Sequence, residues 1–180
     1  MAAPFVLLPH PALPAPPFSV AGDIARGDGR LVVRYLLRGD TGALRVPPPA
    51  APGAADGLWQ HTCCELFLAA GDGPAYREFN FSPSSQWASY AFAGYRLRDA
   101  ATEAAAPVVP VVDCRAGADV LELRATLPLA ALPSGDWRLG LSAVLETRDG
   151  GLSWWALRHP GERPDFHHRD GFALALTERP

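Results

Sequence analysis

Along this chain the hydrophobic residues recur at every second position over short stretches, the period of a half-buried strand. In 31–38 (LVVRYLLR), Leu31, Val33, Tyr35 and Leu37 share one face, while Arg34 and Arg38 lie on the other beside Val32 and Leu36. In 120–127 (VLELRATL), Leu121, Leu123, Ala125 and Leu127 oppose Val120, Glu122, Arg124 and Thr126. Stretch 77–81 sets Phe79 and Phe81 against Glu78 and Asn80. Further strand candidates are 18–24, 58–69, 86–95, 108–113, 137–147, 153–157 and 172–176. Turn signals such as Gly27-Asp28-Gly29, Gly71-Asp72-Gly73, Ser134-Gly135-Asp136 and Asp149-Gly150-Gly151 separate them. Only 127–132 looks briefly helical. The tract 47–55 (PPPAAPGAA) reads as a surface loop, and 99–107 as a helical turn or a loop. Many short strands without long helices predict one all-β domain over 1–180, an antiparallel β-sandwich of jelly-roll or immunoglobulin-like kind.

Composition narrows the function classes. The 180 residues are 48% hydrophobic, which suits a packed core and argues against wholesale disorder. Net charge is -3 and no block of five like charges occurs, so nothing invites nucleic acid or an anionic membrane surface. All 16 basic residues are arginine. Lysine Schiff bases and phosphate-loop lysines are therefore excluded. No stretch approaches the roughly 20 apolar residues that cross a bilayer. The start, MAAPFVLLPHPALPAPPF, has no basic n-region, and Pro9 and Pro11 break its apolar run. It is not read as a secretory signal, which makes the cytoplasm the default and leaves a secreted or periplasmic place open. Cys63 and Cys64 are adjacent and must face apart on a strand, so neither a disulfide framework nor a zinc knuckle is expected. There is no Gly-x-Ser-x-Gly, no His-Glu-x-x-His and no glycine-rich phosphate loop. A non-catalytic domain without a cofactor is the expectation.

Three segments carry candidate chemistry. In 58–68 (LWQHTCCELFL), Trp59, His61, Cys63 and Glu65 would share a strand face, with Glu65 in an otherwise apolar run. A buried carboxylate needs a partner, and Arg96 or Arg77 would supply a two-pronged one. Glu65 reads either as half of an internal ion pair that pins strand register, or as the polar base of a ligand groove. In 76–87, a strand bearing Glu78 and Asn80 runs through a turn into an aromatic strand. In 152–172, Trp154 and Trp155 must face opposite sides if extended, so one can fill the core while the other presents a flat indole to a sugar ring. His159, His167 and His168, with Asp165 and Asp170, raise a metal-dependent enzyme as a lesser reading, although the spacing fits no strong ligand pattern. The same tryptophans could instead anchor a protein partner in an interaction or structural module.

Taken together, these motifs resemble the DOMON-like superfamily, and within it type 9 carbohydrate-binding modules. The resemblance rests on Trp59, Thr62 and Glu65-Leu66-Phe67-Leu68, on 76–83 with Trp87, on Tyr95-Arg96, and on 154–157 through Pro164-Asp165-Phe166-His167-His168. It implies a β-sandwich in which two tryptophans clamp a terminal sugar while a carboxylate and an arginine bond its hydroxyls. Trp59 would match one clamp and Trp154 or Trp155 the other; Glu65 would match the carboxylate and Arg96 the arginine. Gln60, Asn80 and Gln86 are further polar candidates without a motif behind them. The expected ligand is a carbohydrate or another small polar molecule.

Overall fold

The computed structural model describes residues 2–178. Its strands are β1 (Ala3–Pro9), β2 (Ser19–Gly27), β3 (Arg30–Arg38), β4 (Gly53–Ala54), β5 (Cys63–Ala70), β6 (Tyr76–Phe81) and β7 (Gln86–Gly94), then β8 (Leu97–Arg98), β9 (Val111–Ala116), β10 (Val120–Pro128), β11 (Trp137–Glu146), β12 (Leu152–Ala156) and β13 (Leu174–Leu176). One short helix, α1 (Ala100–Ala105), follows β8; the Asp99 carboxylate caps it by accepting the Thr102 N–H at 3.0 Å. Among the described residues no helix is long and apolar enough to cross a membrane.

Alternation sets the register. Across the β3–β10 ladder, Leu31, Val33, Tyr35 and Leu37 stand opposite Leu127, Ala125, Leu123 and Leu121. All eight are buried, so a one-residue slip would turn the whole row to solvent. The β2–β3 hairpin closes on Asp28 and Gly29, both at positive φ (50° and 71°), the conformation that an Asp-Gly turn supplies.

The strands form one hydrogen-bonded path, β4-β7-β6-β5-β11-β12-β1-β2-β3-β10-β9, with β13 on β11 and β8 on β7. β1 is the junction. Its first five residues pair with β2, whereas Leu8 and Pro9 pair with Ala156 and Trp155 of β12. The sheet curls about this strand, and its two runs bury their inner faces in a common core of Tyr35, Leu37, Leu123, Leu66, Phe79 and Leu141. The Tyr35 hydroxyl donates to the Glu65 carbonyl oxygen at 2.6 Å and ties one run to the other.

Three expectations change. The sheet is mixed rather than wholly antiparallel, because β4 runs parallel to β7. The proline-rich tract has few donors, so it pairs over only two residues as it passes along that edge. Strand 58–69 begins at Cys63, since Leu58–Gln60 is a 3-10 turn entered through Gly57 at φ 74°. β1 was hidden by its prolines: Pro9 ends the strand and Pro4 tolerates the extended backbone.

Candidate functional site

In β5, β6 and β11 almost every residue is buried, on both faces. The inner face meets the core. The outer face is covered by three segments outside the ladders. The 3-10 turn Leu58–Gln60 brings Trp59 over the sheet. The β7–β8 turn brings Arg96. The stretch after β12 returns with Pro164, Phe166 and His167, and is anchored by Phe172 packing on Phe67 at 5.6 Å between ring centroids. Gly140 makes that last contact possible: a Cβ there would lie 2.9 Å from the Phe172 ring.

Between sheet and cover lies a cleft of about 460 Å³. Pairing dictates its floor. Phe67 of β5 stands opposite Glu78 of β6, which stands opposite Tyr90 of β7. On the other side, Glu65 faces Ser142 of β11, and Val144 faces Trp154 of β12. The walls are Trp59, Tyr90, Phe92, Trp154, Pro164 and Phe166, with Arg96, Arg98 and His167 at the rim. Trp59 is 44% exposed and meets Tyr90 edge-on at 6.3 Å. Tyr90 is fixed by donating to Asp56 at 2.6 Å, and the Arg98 guanidinium lies 4.5 Å over its ring.

Two carboxyl groups occupy the floor. Glu65 is 3% exposed and accepts from the Ser142 hydroxyl at 3.1 Å. Glu78 accepts from the Asn80 amide at 2.9 Å, and its other oxygen lies 3.6 Å from His167 Nε2. Burial pushes Glu65 up to about 8, with the Glu78 charge adding to it. Burial likewise raises Glu78 to about 7, against the pull of Asn80 and the two arginines. Such a pair sheds its protons in steps that belong to both groups. Burial, then the Arg96 charge, lowers His167 to about 4, so its ring is neutral near pH 7.

The rim is built from linked hydrogen bonds. Arg96 sits at φ 53°, an unusual place for a side-chain-bearing residue. Its N–H donates to the Tyr76 hydroxyl at 3.1 Å, and its guanidinium donates to Asp165 at 2.9 Å. The Tyr95 hydroxyl donates to the same carboxylate at 2.6 Å. Tyr76 in turn donates to His167 Nδ1 at 2.8 Å, an assignment that leaves the proton of the neutral ring on Nε2, toward Glu78.

Of the residues nominated from sequence, Trp59, Glu65, Arg96 and Trp154 line this cleft together. Trp155 does not: strand alternation turns it into the core, where it is 3% exposed and donates to the Ser153 hydroxyl. Asn80 stands opposite Glu65 on the same face, is fully buried and donates to Glu78 without lining the cleft itself. Gln86 lies in an adjoining groove with Ser82, Ser84 and Gln60, accepting from Ser84 at 3.2 Å. The Glu65–Arg96 couple does not form, because one group sits on the floor and the other is held at the rim by Asp165. Arg77, the other partner considered for Glu65, alternates to the opposite face from Glu78 and borders a separate pocket under α1. Sequence reasoning did not single out Tyr90 or Phe92, named Phe166 only within the stretch that carries the resemblance, and gave Glu78 no role in the site. Alternation had set Glu78 on the polar side of its strand; that this side is roofed is seen only in the structure.

The histidines separate. His159 bonds the Leu8 carbonyl at 2.8 Å, His167 bonds Tyr76, and His168 accepts from the Asp170 N–H. Among the described residues no three His, Cys, Asp or Glu side chains converge as a metal requires.

A curled all-β sheet with an aromatic-walled, carboxyl-floored cleft outside one run is the class that fold and site define. No protein-family model matches the chain, and a comparison with curated proteins finds no match. Solved structures do share the fold. A Bacteroides uniformis protein provisionally described as carbohydrate-binding matches with a TM-score of 0.68 at 18% identity, over 98% of this chain and 85% of that one. A family 9 carbohydrate-binding module from Caldicellulosiruptor kristjanssonii, in complex with glucose, matches with a TM-score of 0.54 at 9% identity, over 79% of this chain and 68% of that one. The same module with cellotriose gives 0.54 at 10%, over 80% and 67%. The chain is thus similar in fold to type 9 carbohydrate-binding modules.

Proposed function

We propose that the protein is a non-catalytic carbohydrate-binding module, its curled sheet a β-sandwich, its ligand seated in the outer cleft. The observation that carries this reading is the convergence of Trp59, Trp154, Glu65 and Arg96, distant in sequence, on one open hollow. Flat indoles stack on the C–H faces of a sugar ring, and carboxylate and guanidinium groups bond its hydroxyls. The volume, about 460 Å³, falls in the range of small-ligand sites. Glucose and cellotriose in the fold relatives support a sugar of one to three rings. The wider DOMON-like grouping rests on the motif resemblance alone.

Calorimetric titration with glucose, cellobiose and a broader oligosaccharide panel tests the proposal. Saturable binding that Trp59→Ala weakens is the expected result. Absence of binding to every sugar, together with a Trp59→Ala protein indistinguishable from wild type, would overturn it.

A further inference from the structure

Among the described residues, the cleft floor holds two buried carboxyl groups, and neither is bonded to a cationic side chain. Among the described residues, Glu65 is bonded only by a serine hydroxyl and Glu78 only by an amide, with a neutral imidazole 3.6 Å away. The two guanidinium groups at the rim are already matched. Arg96 pairs with Asp165 at 2.9 Å, and Arg98 grips both oxygens of Glu103 at 2.9 Å. A neutral hydroxyl can bond a carboxylate but leaves its charge in place, at a cost that grows with burial. An ammonium offsets that cost by pairing with the charge, and the indoles of Trp59 and Trp154 that line the cleft can attract a cation as well.

We propose that the cleft selects a cationic sugar, an amino sugar whose ammonium lies between Glu65 and Glu78. This rests on the carbohydrate-binding reading and narrows it. Both carboxyls hold protons more tightly than usual, chiefly through burial, with the Glu78 charge adding to it at Glu65 and the Glu103 charge at Glu78. The groups that face them are Ser142 from β11, Asn80 from β6, His167 from the covering segment, and Arg96 and Arg98 from the rim; Glu103 adds a further negative charge. A bound ammonium lowers both carboxyls again, so binding releases protons near pH 7.

The test is calorimetry on the full chain at pH 7 with three β-1,4-linked disaccharides: that of glucosamine, its N-acetylated form, and cellobiose. The glucosamine dimer is expected to bind about tenfold tighter than the other two, the difference between a charge-assisted and a neutral hydrogen bond. Its heat should vary with the ionisation enthalpy of the buffer, reporting the released protons. Glu65→Gln and Glu78→Gln, checked for folding by circular dichroism, should bring that preference close to unity. Cellobiose binding as tightly as the glucosamine dimer overturns this inference alone. So does a preference that survives in both variants. Binding of none of the three overturns the carbohydrate reading with it.

Discussion

The two runs of the curled sheet follow different rules. In β3 and β10 burial alternates strictly: Leu31, Val33, Tyr35 and Leu37 are buried, and the residues between them reach solvent at least in part. Polar groups there pair at the surface, as Arg34 does with Asp23. In the run of β5, β6 and β11 both faces are buried, and Glu65, Glu78, Asn80, Ser142 and Glu146 are taken out of water. One run is scaffold. The other holds polar groups under a cover of loops, where burial carries an energetic cost. The ligand proposed above would sit on this side of the molecule, against the buried polar groups.

Four substitutions or conditions break or sharpen that contrast. Phe79, fully buried on the inner face of β6, belongs to the scaffold on the shared core. Phe79→Ala should cost about 3–5 kcal/mol in denaturant unfolding, as cavities in packed cores do. The cleft should behave oppositely. Trp59→Ala should weaken sugar binding by about 2 kcal/mol, roughly 30-fold, while stability shifts by under about 1 kcal/mol, since the indole is half exposed. Calorimetry and unfolding curves on the same variant separate the two quantities.

Stability against pH probes the floor. Between their ordinary value of 4.5 and their folded values of about 8 and 7, Glu65 and Glu78 keep protons that the unfolded chain has lost. The native state then binds more protons than the unfolded one, so stability falls as pH rises through that window. His167 has the reverse sign: between about 4 and 6.5 the unfolded chain binds the extra proton, and stability falls as pH drops. Above pH 6.5 the histidine contribution tails off and the carboxyls dominate. Raising pH from 6.5 to 8 should therefore cost on the order of 1–2 kcal/mol in the free protein, and the Glu65→Gln, Glu78→Gln double variant should lose that slope. The smallest effect belongs to the exposed pair of the scaffold run. Arg34→Ala should cost about 0.2–1 kcal/mol, less at high salt, measured by the midpoint shift in urea.

Much of the scaffold was legible because alternation and turn chemistry act locally. The rows of β3 and β10, the Asp-Gly hairpin and the core positions follow from spacing alone. Half of the site was legible too, since Trp59, Glu65, Arg96 and Trp154 are unusual in their own segments. The paired indoles left one ambiguity, which the register settled by setting Trp154 opposite Val144 on the outer face. The cleft roles of Tyr90, Phe92 and Phe166 were not legible, because an aromatic residue on a strand or loop looks the same whether it fills a core or lines a hollow.

The amino-acid order by itself determined which residues alternate, where the chain turns, and which chemical groups are present. Only the tertiary structure decided that the outer face of one run is roofed, that Arg96 pairs with Asp165 rather than Glu65, and that Glu65 and Glu78 share one floor. The reason is the range of the forces involved. Backbone geometry and side-chain period act within a few residues, whereas burial and charge pairing depend on neighbours brought from the far end of the chain.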